Sequence, residues 1–228
     1  FHNPTAGHKA TKDDILAAMK LADFDVRYVS VKDDNLEEAF GKKADLLVIA
    51  GGDGTIAEVL TRLPDRAMPV ALLPLGTANN IAFTLGLDGP LERLVRSWHD
   101  APARPFDIGV LSGTDDARPF VEGLGGGLVE ACLTSFRRRP LRGDEPPPWQ
   151  LVRALRRYAQ TLARLRPRRW SWTIDGSART SECLLLEVMN VRAVGPNLEL
   201  APAASPSDGL LTVVTAHESD RPALSAYI

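Results

Sequence analysis

The sequence predicts an α/β lobe with a parallel sheet, followed by a mainly antiparallel β-sandwich lobe, within 228 residues. Helical and strand patterns alternate through the first hundred residues, whereas strand patterns dominate after about Pro105. Gly123 to Gly127 then holds four glycines in five positions, which disfavours a packed helix there. We therefore expect domains at residues 1–105 and 106–218, with residues 219–228 forming the start of a C-terminal helix that is cut short.

The N-terminal elements begin with a helix whose first turn is acidic. Its apolar positions lie on one face, at Ile15, Ala18, Met19 and Ala22. A strand through residues 26–29 and a short helix at 36–40 follow. Residues 44–50 form a β-branched apolar run of the kind that parallel sheets bury.

A second buried strand is predicted at residues 70–73, where Pro74 ends it. Between the two strands, residues 56–63 have a helical pattern that Pro64 terminates, and another helix is expected at 81–85. Strand, helix and strand at this spacing predict a right-handed βαβ unit.

The second half contains one predicted hairpin, because alternation at residues 170–174 runs into Asp175-Gly176. One long helix is expected at residues 149–166. Further strands are predicted at residues 106–111, 183–188 and 210–214.

Composition excludes several classes of protein. Hydrophobic residues make up 44% and charged residues 25%, which excludes wholesale disorder, and no apolar run is long enough to span a bilayer. Two cysteines, Cys132 and Cys183, are too few for a disulfide framework, so we expect a cytoplasmic protein. Phe1-His2-Asn3-Pro4 is typical of the end of a strand that enters a loop, which predicts that the chain is a fragment.

Charge is distributed unevenly along the chain. Between Arg137 and Arg169 there are eleven arginines against Asp144 and Glu145, a net charge of +9, while the rest sums to −11. The helix within this segment is amphipathic, so two interpretations stay open: packing on the β lobe, or peripheral contact with an anionic membrane at its inner face. Nucleic-acid binding is not expected, because aromatic residues are not interleaved for stacking. The apolar positions of the helix are Trp149, Val152, Leu155, Tyr158 or Ala159, Leu162 and Leu165.

The first chemical motif is Gly51-Gly52-Asp53-Gly54-Thr55, placed between a buried strand and a helix. Glycines there allow a tight turn and a close approach of backbone N–H groups to a phosphate, next to a helix N-terminus. The motif predicts a cradle for nucleotide phosphates. Asp53 argues against a purely structural turn, because a carboxylate would repel phosphate unless magnesium intervenes or the carboxylate acts as a base.

Other phosphate and hydrolase motifs are missing. The sequence has no P-loop, and about 20 residues beyond the glycines it lacks the acidic residue that a dinucleotide fold uses for ribose. Gly-x-Ser-x-Gly and His-Glu-x-x-His are also absent. Dehydrogenases, common serine hydrolases and zinc proteases are therefore disfavoured.

A second loop, Pro74-Leu75-Gly76-Thr77-Ala78-Asn79-Asn80, follows the second buried strand. Loops at the carboxyl ends of neighbouring parallel strands lie side by side, so both loops should border one crevice. Thr77 and Asn79 could bind phosphate or ribose, or could cap the following helix.

These motifs carry a family resemblance. Asn3-Pro4-Thr5-Ala6-Gly7, the Gly-Gly-Asp-Gly-Thr motif and Gly76-Thr77-Ala78-Asn79-Asn80 resemble, in order and spacing, the catalytic region of diacylglycerol kinases and sphingosine kinases. In the second half, Asp107-Ile108-Gly109 and Ser207-Asp208-Gly209-Leu210 also resemble that family. Gly-Gly-Asp-Gly-Thr alone is shared with NAD kinases and is related to phosphofructokinase motifs.

The resemblance implies an ATP-dependent lipid kinase that transfers the γ-phosphoryl group to a lipid hydroxyl with the help of magnesium. It implies that Asp53 and Asp208 are the catalytic candidates, as the base or as an indirect magnesium partner, and leaves the two roles unassigned between them. No residue is assigned as a direct metal ligand. The implied ATP-binding residues are Asn3, Gly7, Gly51, Gly52, Gly54, Thr55, Gly76, Thr77 and Asn79.

Three positions depart from the family pattern. Asn80 replaces an aspartate, Glu122 replaces an asparagine, and Asn190 is followed by Val191 rather than glycine. Two alternatives therefore remain: an NAD kinase-like phosphotransferase, or a non-catalytic regulator that binds nucleotide or lipid. The sequence does not name the lipid, because apolar pockets discriminate poorly between acyl chains.

Overall fold

The computed structural model describes residues 1–6, 10–32, 35–113, 116–139, 147–195 and 198–228. The chain divides into two compact units. The first consists of Phe1–Val121 and Ser205–Gly209, and the second of Glu122–Ala204 and Leu210–Ile228. The predicted domain boundaries stay predictions.

The first unit is built on two parallel strands. Strand β1 pairs with β2 from Leu47 opposite Val70 to Gly51 opposite Pro74, and helix α3 connects them. Helices α1 and α5 pack on this sheet through a core that includes Ile15, Leu73 and Val95. The elements are α1 Lys12–Leu21, α2 Leu36–Phe40, β1 Leu47–Gly51, α3 Asp53–Arg62, β2 Val70–Pro74, α4 Asn80–Thr84, α5 Leu91–Ser97, β3 Gly109–Leu111 and β4 Arg118–Phe120.

The second unit contains a three-stranded antiparallel sheet, ordered β5-β8-β9, and the separate β6-β7 hairpin. Its core joins residues of two helices, α6 and α7, to strand β8 through side chains such as Cys132, Tyr158 and Leu185. The elements are β5 Gly123–Gly127, α6 Leu128–Arg138, α7 Pro147–Arg164, β6 Arg168–Ile174, β7 Ser177–Cys183, β8 Leu185–Met189, β9 Thr212–Ala216, a 3₁₀ turn Glu218–Asp220 and α8 Arg221–Tyr227.

The predicted fold class, a parallel α/β lobe and an antiparallel β lobe, is confirmed, and so is the hairpin. Asp175 and Gly176 both have positive φ, at 47° and 80°, as the two-residue turn between β6 and β7 requires. The predicted helix at 149–166 corresponds to α7. The predicted ends of the N-terminal strands and helices agree with the structure to within a few residues.

Two sequence-based expectations were wrong. The strand at 26–29 is replaced by a single bridge between His2 and Ser30, because Asn3 and Pro4 already lead the chain into a turn. Before residue 219 the second half was expected to hold one helix, but α6 is also present, whereas the helix expected within residues 219–228 corresponds to α8. In α6, Leu128 and Cys132 are both buried and lie four residues apart, a spacing that is typical of a helix. The glycines at 123–127 led the sequence analysis to disfavour a helix in this region.

Helix α7 packs on the core through only part of its predicted apolar face. Tyr158 and Leu162 are fully buried, and Leu155 and Leu165 pack against the same core. Trp149 and Val152, one or two turns nearer the N-terminus of α7, are 62% and 52% exposed. Core packing is therefore confirmed for the C-terminal half of α7, and its N-terminal turns carry exposed apolar side chains.

Candidate functional site

The two glycine-containing loops of the first unit are in direct contact. Residues 51–55, the first glycine loop, follow β1, and residues 74–80, the second glycine loop, follow β2. The Leu75 N–H donates to the Gly51 carbonyl at 2.9 Å. A Cβ on Gly76 would lie 2.5 Å from the Gly52 Cα, so only glycine permits this approach. The expectation that the loops lie side by side is confirmed.

Asn79 holds the second glycine loop in shape. Its side-chain Oδ1 accepts from the Gly76 N–H at 2.8 Å, and its Nδ2 donates to the Gly76 carbonyl at 2.8 Å. The backbone of Asn79 is left-handed, with φ of 55°, a conformation that asparagine tolerates better than most residues. Because the amide is used internally and is buried, Asn79 shapes the loop from within.

The N-terminal segment lies against the first glycine loop. The Asn3 N–H donates to the Ala50 carbonyl at 2.9 Å, and the Asn3 side-chain amide donates to the Thr55 hydroxyl at 2.9 Å. The Asn3 Oδ1 accepts from the Thr5 hydroxyl at 2.8 Å. Asn3, Gly51 and Thr55 are thus brought together, while Gly7 lies outside the described residues.

Asp53 joins the two loops by capping α4. Its Oδ1 accepts from the Ile81 N–H at 3.0 Å, across 28 residues of sequence. No side-chain cap comes from Asn79 itself, so Asp53 supplies what the N-terminus of α4 lacks. Burial raises the pKa of the Asp53 carboxyl, and the backbone donors of Ile81, Asn80 and Asn79 oppose that rise only in part. A carboxylate with a raised pKa is a stronger base than an exposed aspartate.

The first glycine loop is open to solvent beside Gly54, at the N-terminus of α3. Gly52 begins α3 without a side-chain cap, and although the Thr55 N–H already donates to the Gly52 carbonyl at 2.9 Å, the positive end of the helix dipole favours an anion here. Around Gly54, an added Cβ would meet no heavy atom within 4 Å, and Thr77 of the second glycine loop is exposed. The loops therefore provide both a rigid backbone and open space for a phosphate-bearing ligand.

Asp208 belongs to the first unit and lies on the segment Ser205–Gly209, which is hydrogen-bonded to Asp107. The Asp107 N–H donates to the Pro206 carbonyl at 2.6 Å, and its Oδ2 accepts from the Gly209 N–H at 2.8 Å. Asp208 itself is exposed. Sequence reasoning did not include Asp107 among the site residues, although its Asp-x-Gly pattern was a usable signal, because a carboxylate commonly holds turns of this kind.

The described part of the chain holds neither a cluster of metal-ligating side chains nor a helix that could span a membrane. Over the described residues, no three or more His, Cys, Asp or Glu side chains gather at one point. None of the helices described is long and apolar enough to cross a membrane. The Asp53 carboxylate, which lies between the two glycine loops, is the kind of hard oxygen donor that magnesium prefers.

Two family models match the chain. Residues 1–111 match the diacylglycerol kinase catalytic domain, and residues 150–228 match the YegS C-terminal NAD kinase beta sandwich-like domain. The first match contains both glycine loops, and the second runs from the first turn of α7 through α8.

Individual proteins show the same relationship. The chain is 30% identical over 187 residues to a diacylglycerol kinase of Bacillus subtilis. That alignment covers 78% of this chain and 57% of the relative. It is 26% identical to a diacylglycerol kinase of Mycobacterium tuberculosis, over 96% of this chain and 72% of that relative. A Pseudomonas aeruginosa protein named "Probable lipid kinase YegS-like" is 33% identical, over 78% of this chain and 56% of that relative.

A solved structure has the same fold. A diacylglycerol kinase of Bacillus anthracis matches with a TM-score of 0.70 at 22% identity, covering 99% of this chain and 77% of that one. The chain spans 57% of the Bacillus subtilis relative's length.

Proposed function

The chain belongs to the bacterial diacylglycerol kinase and lipid kinase-like family, and on that premise we propose that it transfers the γ-phosphoryl group of ATP to a lipid hydroxyl. The observation that carries the proposal is the contact between the two glycine loops, with Asp53 linking them. The relatives' names support a lipid as acceptor, and the identity of that lipid stays open between diacylglycerol-like and sphingoid-like alcohols.

The first step of the proposed function is nucleotide binding. The uncapped N-terminus of α3 and the open space beside Gly54 would receive the phosphates. Asn79 and Thr55 would act by keeping the loops rigid, since both side chains are buried, Asn79 is bonded within the second glycine loop and Thr55 is bonded to Asn3. Preorganised N–H donors of this kind need no rearrangement when charge develops.

The second step is phosphoryl transfer, in which the lipid oxygen bonds to the γ-phosphorus as the bond to the β-phosphate oxygen breaks and ADP leaves. Asp53 would accept the hydroxyl proton, for which a carboxyl with a raised pKa is suited. Asp208, exposed in the same unit, is the other candidate base. Magnesium, carried by the nucleotide phosphates, would offset phosphate charge.

We also propose peripheral membrane contact through the basic segment between Arg137 and Arg169. Trp149 and Val152 expose apolar surface on α7 beside Arg153 and Arg156, a combination that suits an interface of anionic lipid and water. Cationic side chains near such a surface contribute about 1 kcal/mol each. Localisation at the inner face of a cytoplasmic membrane would follow.

The test is transfer of label from γ-labelled ATP into vesicles containing diacylglycerol, sphingosine, ceramide or phosphatidylglycerol. Label in one lipid supports the proposal. Label in NAD with none in lipid would favour an NAD kinase-like activity, and stoichiometric ATP binding without transfer to any acceptor would favour a regulator. Both results would overturn the lipid kinase proposal.

Two substitutions separate catalysis by Asp53 from its structural role. Asp53→Asn keeps an oxygen that can accept from the Ile81 N–H, whereas Asp53→Ala removes the cap of α4 as well. We expect both variants to lose about 10²-fold or more in transfer, and only Asp53→Ala to lose about 1 kcal/mol of stability. Wild-type turnover by Asp53→Asn would remove Asp53 as base, and the same comparison with Asp208→Asn would then identify the alternative.

A further inference from the structure

A cavity lies in the second unit, between helices α6 and α7. Its volume is about 430 Å³, which lies within the range of small-molecule sites. Helix α6 contributes Ser135 and its C-cap residue Arg139, α7 contributes four residues that share one face, and Leu165 follows the end of α7. The lining residues are Ser135, Arg139, Arg157, Gln160, Thr161, Arg164 and Leu165. We refer to this cavity as the arginine pocket.

The arginine pocket concentrates positive charge. Arg139, Arg157 and Arg164 line it, no carboxylate is among its described lining residues, and none of the three forms an ion pair with another described residue. Like charges held close together repel one another unless an anion lies between them. The same pocket carries the Ser135 and Thr161 hydroxyls and the Gln160 amide, which are neutral hydrogen-bond donors.

One of the three guanidinium groups is held in place. Arg157 donates to the Arg139 carbonyl oxygen and its guanidinium lies 4.7 Å from the ring centroid of Phe136 on α6. Arg139 and Arg164 are exposed at the rim. One cation that is held in place, together with two that are exposed to solvent, suits a ligand that enters from solvent.

The wall behind Thr161 is electrically neutral. Thr161 hydrogen-bonds to Cys132, whose thiol is fully buried, and burial raises the pKa of that thiol to about 11. The thiol is therefore protonated at neutral pH, so no thiolate offsets the charge of the three arginines.

We propose that the arginine pocket binds a phosphate group, either as free phosphate or as the phosphate of a lipid headgroup. Guanidinium groups bind phosphate oxygens through paired, charge-assisted hydrogen bonds, and hydroxyl and amide donors complete the coordination. The cavity is larger than a bare phosphate needs, which leaves room for an attached glycerol-sized group. The inference does not rest on the proposed kinase activity, because every residue used lies in the second unit.

The test is protection of individual arginines from phenylglyoxal in the complete chain, mapped by mass spectrometry. Arg139 and Arg164 in the arginine pocket are compared with Arg156 and Arg166, which are equally exposed and do not line it. Inorganic phosphate and monomeric dihexanoyl phosphatidic acid are the probes, with dihexanoylglycerol as the neutral control. We expect both phosphate probes to slow modification of Arg139 and Arg164 only.

Titration calorimetry with the same probes gives the affinity. Arg139→Gln/Arg164→Gln should weaken binding by about tenfold or more, whereas Arg156→Gln/Arg166→Gln, with the same change in charge, should alter it less than about twofold. Tighter binding of the phosphatidic acid would identify a lipid headgroup, and equal binding would identify free phosphate. Equal protection at all four arginines, or equal losses in the two variants, would overturn the proposal in favour of diffuse charge attraction.

Discussion

At the scale of single residues, Asp53 shows how one side chain serves two requirements of the site. Its carboxylate caps a helix that begins 28 residues later, and burial raises its pKa despite the backbone donors around it. The cap fixes where the carboxylate lies, and the raised pKa makes it the stronger base. Because it caps α4, Asp53 stabilises the fold in addition to its proposed role in the site.

Asn79 permits a residue-scale prediction about backbone conformation. Asn79→Ala loses two hydrogen bonds to Gly76 and places alanine in the left-handed region, so we expect a loss of about 2–3 kcal/mol in unfolding free energy. Asn79→Gly also loses the two hydrogen bonds, but glycine adopts the left-handed backbone without strain. This variant should therefore be about 1 kcal/mol more stable than Asn79→Ala. Urea denaturation measures both, and equal losses would contradict a role for the backbone conformation.

Glu187 permits a prediction about pH. It is buried on β8, and burial, followed by the charge of Glu130, raises its pKa to about 7. Between the ordinary pKa of 4.5 and about 7, the folded state holds a proton that the unfolded state releases. Stability should therefore fall as pH rises through this window, and above it the full penalty of about 3 kcal/mol applies.

The variant Glu187→Gln should remove this pH dependence, because it cannot ionise. Urea denaturation at about pH 5 and about pH 8 should show the wild-type chain losing stability at the higher pH and Glu187→Gln losing much less. Glu182→Gln, an exposed position on β7, is the matched control for the loss of one carboxylate. A Glu187→Gln profile parallel to the wild-type profile would show that other groups cause the change.

At the scale of elements, the side chain of Arg221 in α8 caps the C-terminus of helix α7. Its guanidinium donates to the Leu162 carbonyl and, at 2.7 Å, to the Leu165 carbonyl, and it pairs with Glu218. The last carbonyls of a helix have no partners within it, and a cation there also interacts favourably with the helix dipole. This contact links two helices that are about 60 residues apart in the chain.

We expect Arg221→Ala to lose about 1–3 kcal/mol and to fray the last turn of α7. Faster amide hydrogen exchange at residues 161–165, together with a lower urea midpoint, would show this. Arg179→Ala, exposed on β7, should change neither quantity. Unchanged exchange in Arg221→Ala would mean that core packing alone holds the end of α7.

The contact between the glycine loops gives a second prediction for elements. In Gly76→Ala the new Cβ would lie 2.5 Å from the Gly52 Cα, so the loops must separate and both stability and ATP affinity should fall. In Gly54→Ala the Cβ enters open space, so stability should persist while ATP affinity falls. Thermal unfolding and ATP titration separate the two effects, and a Gly76→Ala variant with normal ATP binding would remove the loop contact from the proposed site.

The sequence predicted those helices, strands and turns that depend on residues close together in the chain. The apolar runs of β1 and β2, their proline ends and the Asp175-Gly176 turn were all recognisable, and the parallel pairing then predicted that the glycine loops meet. Helix α6 was missed because four glycines precede it, although its apolar residues recur at helical spacing. The cap from Asp53 to α4 and the arginine pocket depend on contacts between distant residues, which no local pattern records.

At the scale of the whole molecule, the uneven charge of the sequence has a measurable consequence. The segment between Arg137 and Arg169 carries +9 in a chain whose net charge is −2. We expect cosedimentation with phosphatidylglycerol vesicles at low salt, loss of that binding near 1 M salt as charges are screened, and none with neutral phosphatidylcholine vesicles. Binding that persists at high salt would instead identify Trp149 and Val152 as the main anchors.

The segment Ser205–Gly209 belongs to the first unit although it follows most of the second along the chain. The polypeptide consequently passes between the units more than once, and no single cut yields both of them intact. A recombinant piece ending at Val121 would lack the partner peptide that bonds to Asp107, and with it Asp208. Studies of the nucleotide lobe in isolation therefore require that short peptide to be grafted back, for example through an engineered linker.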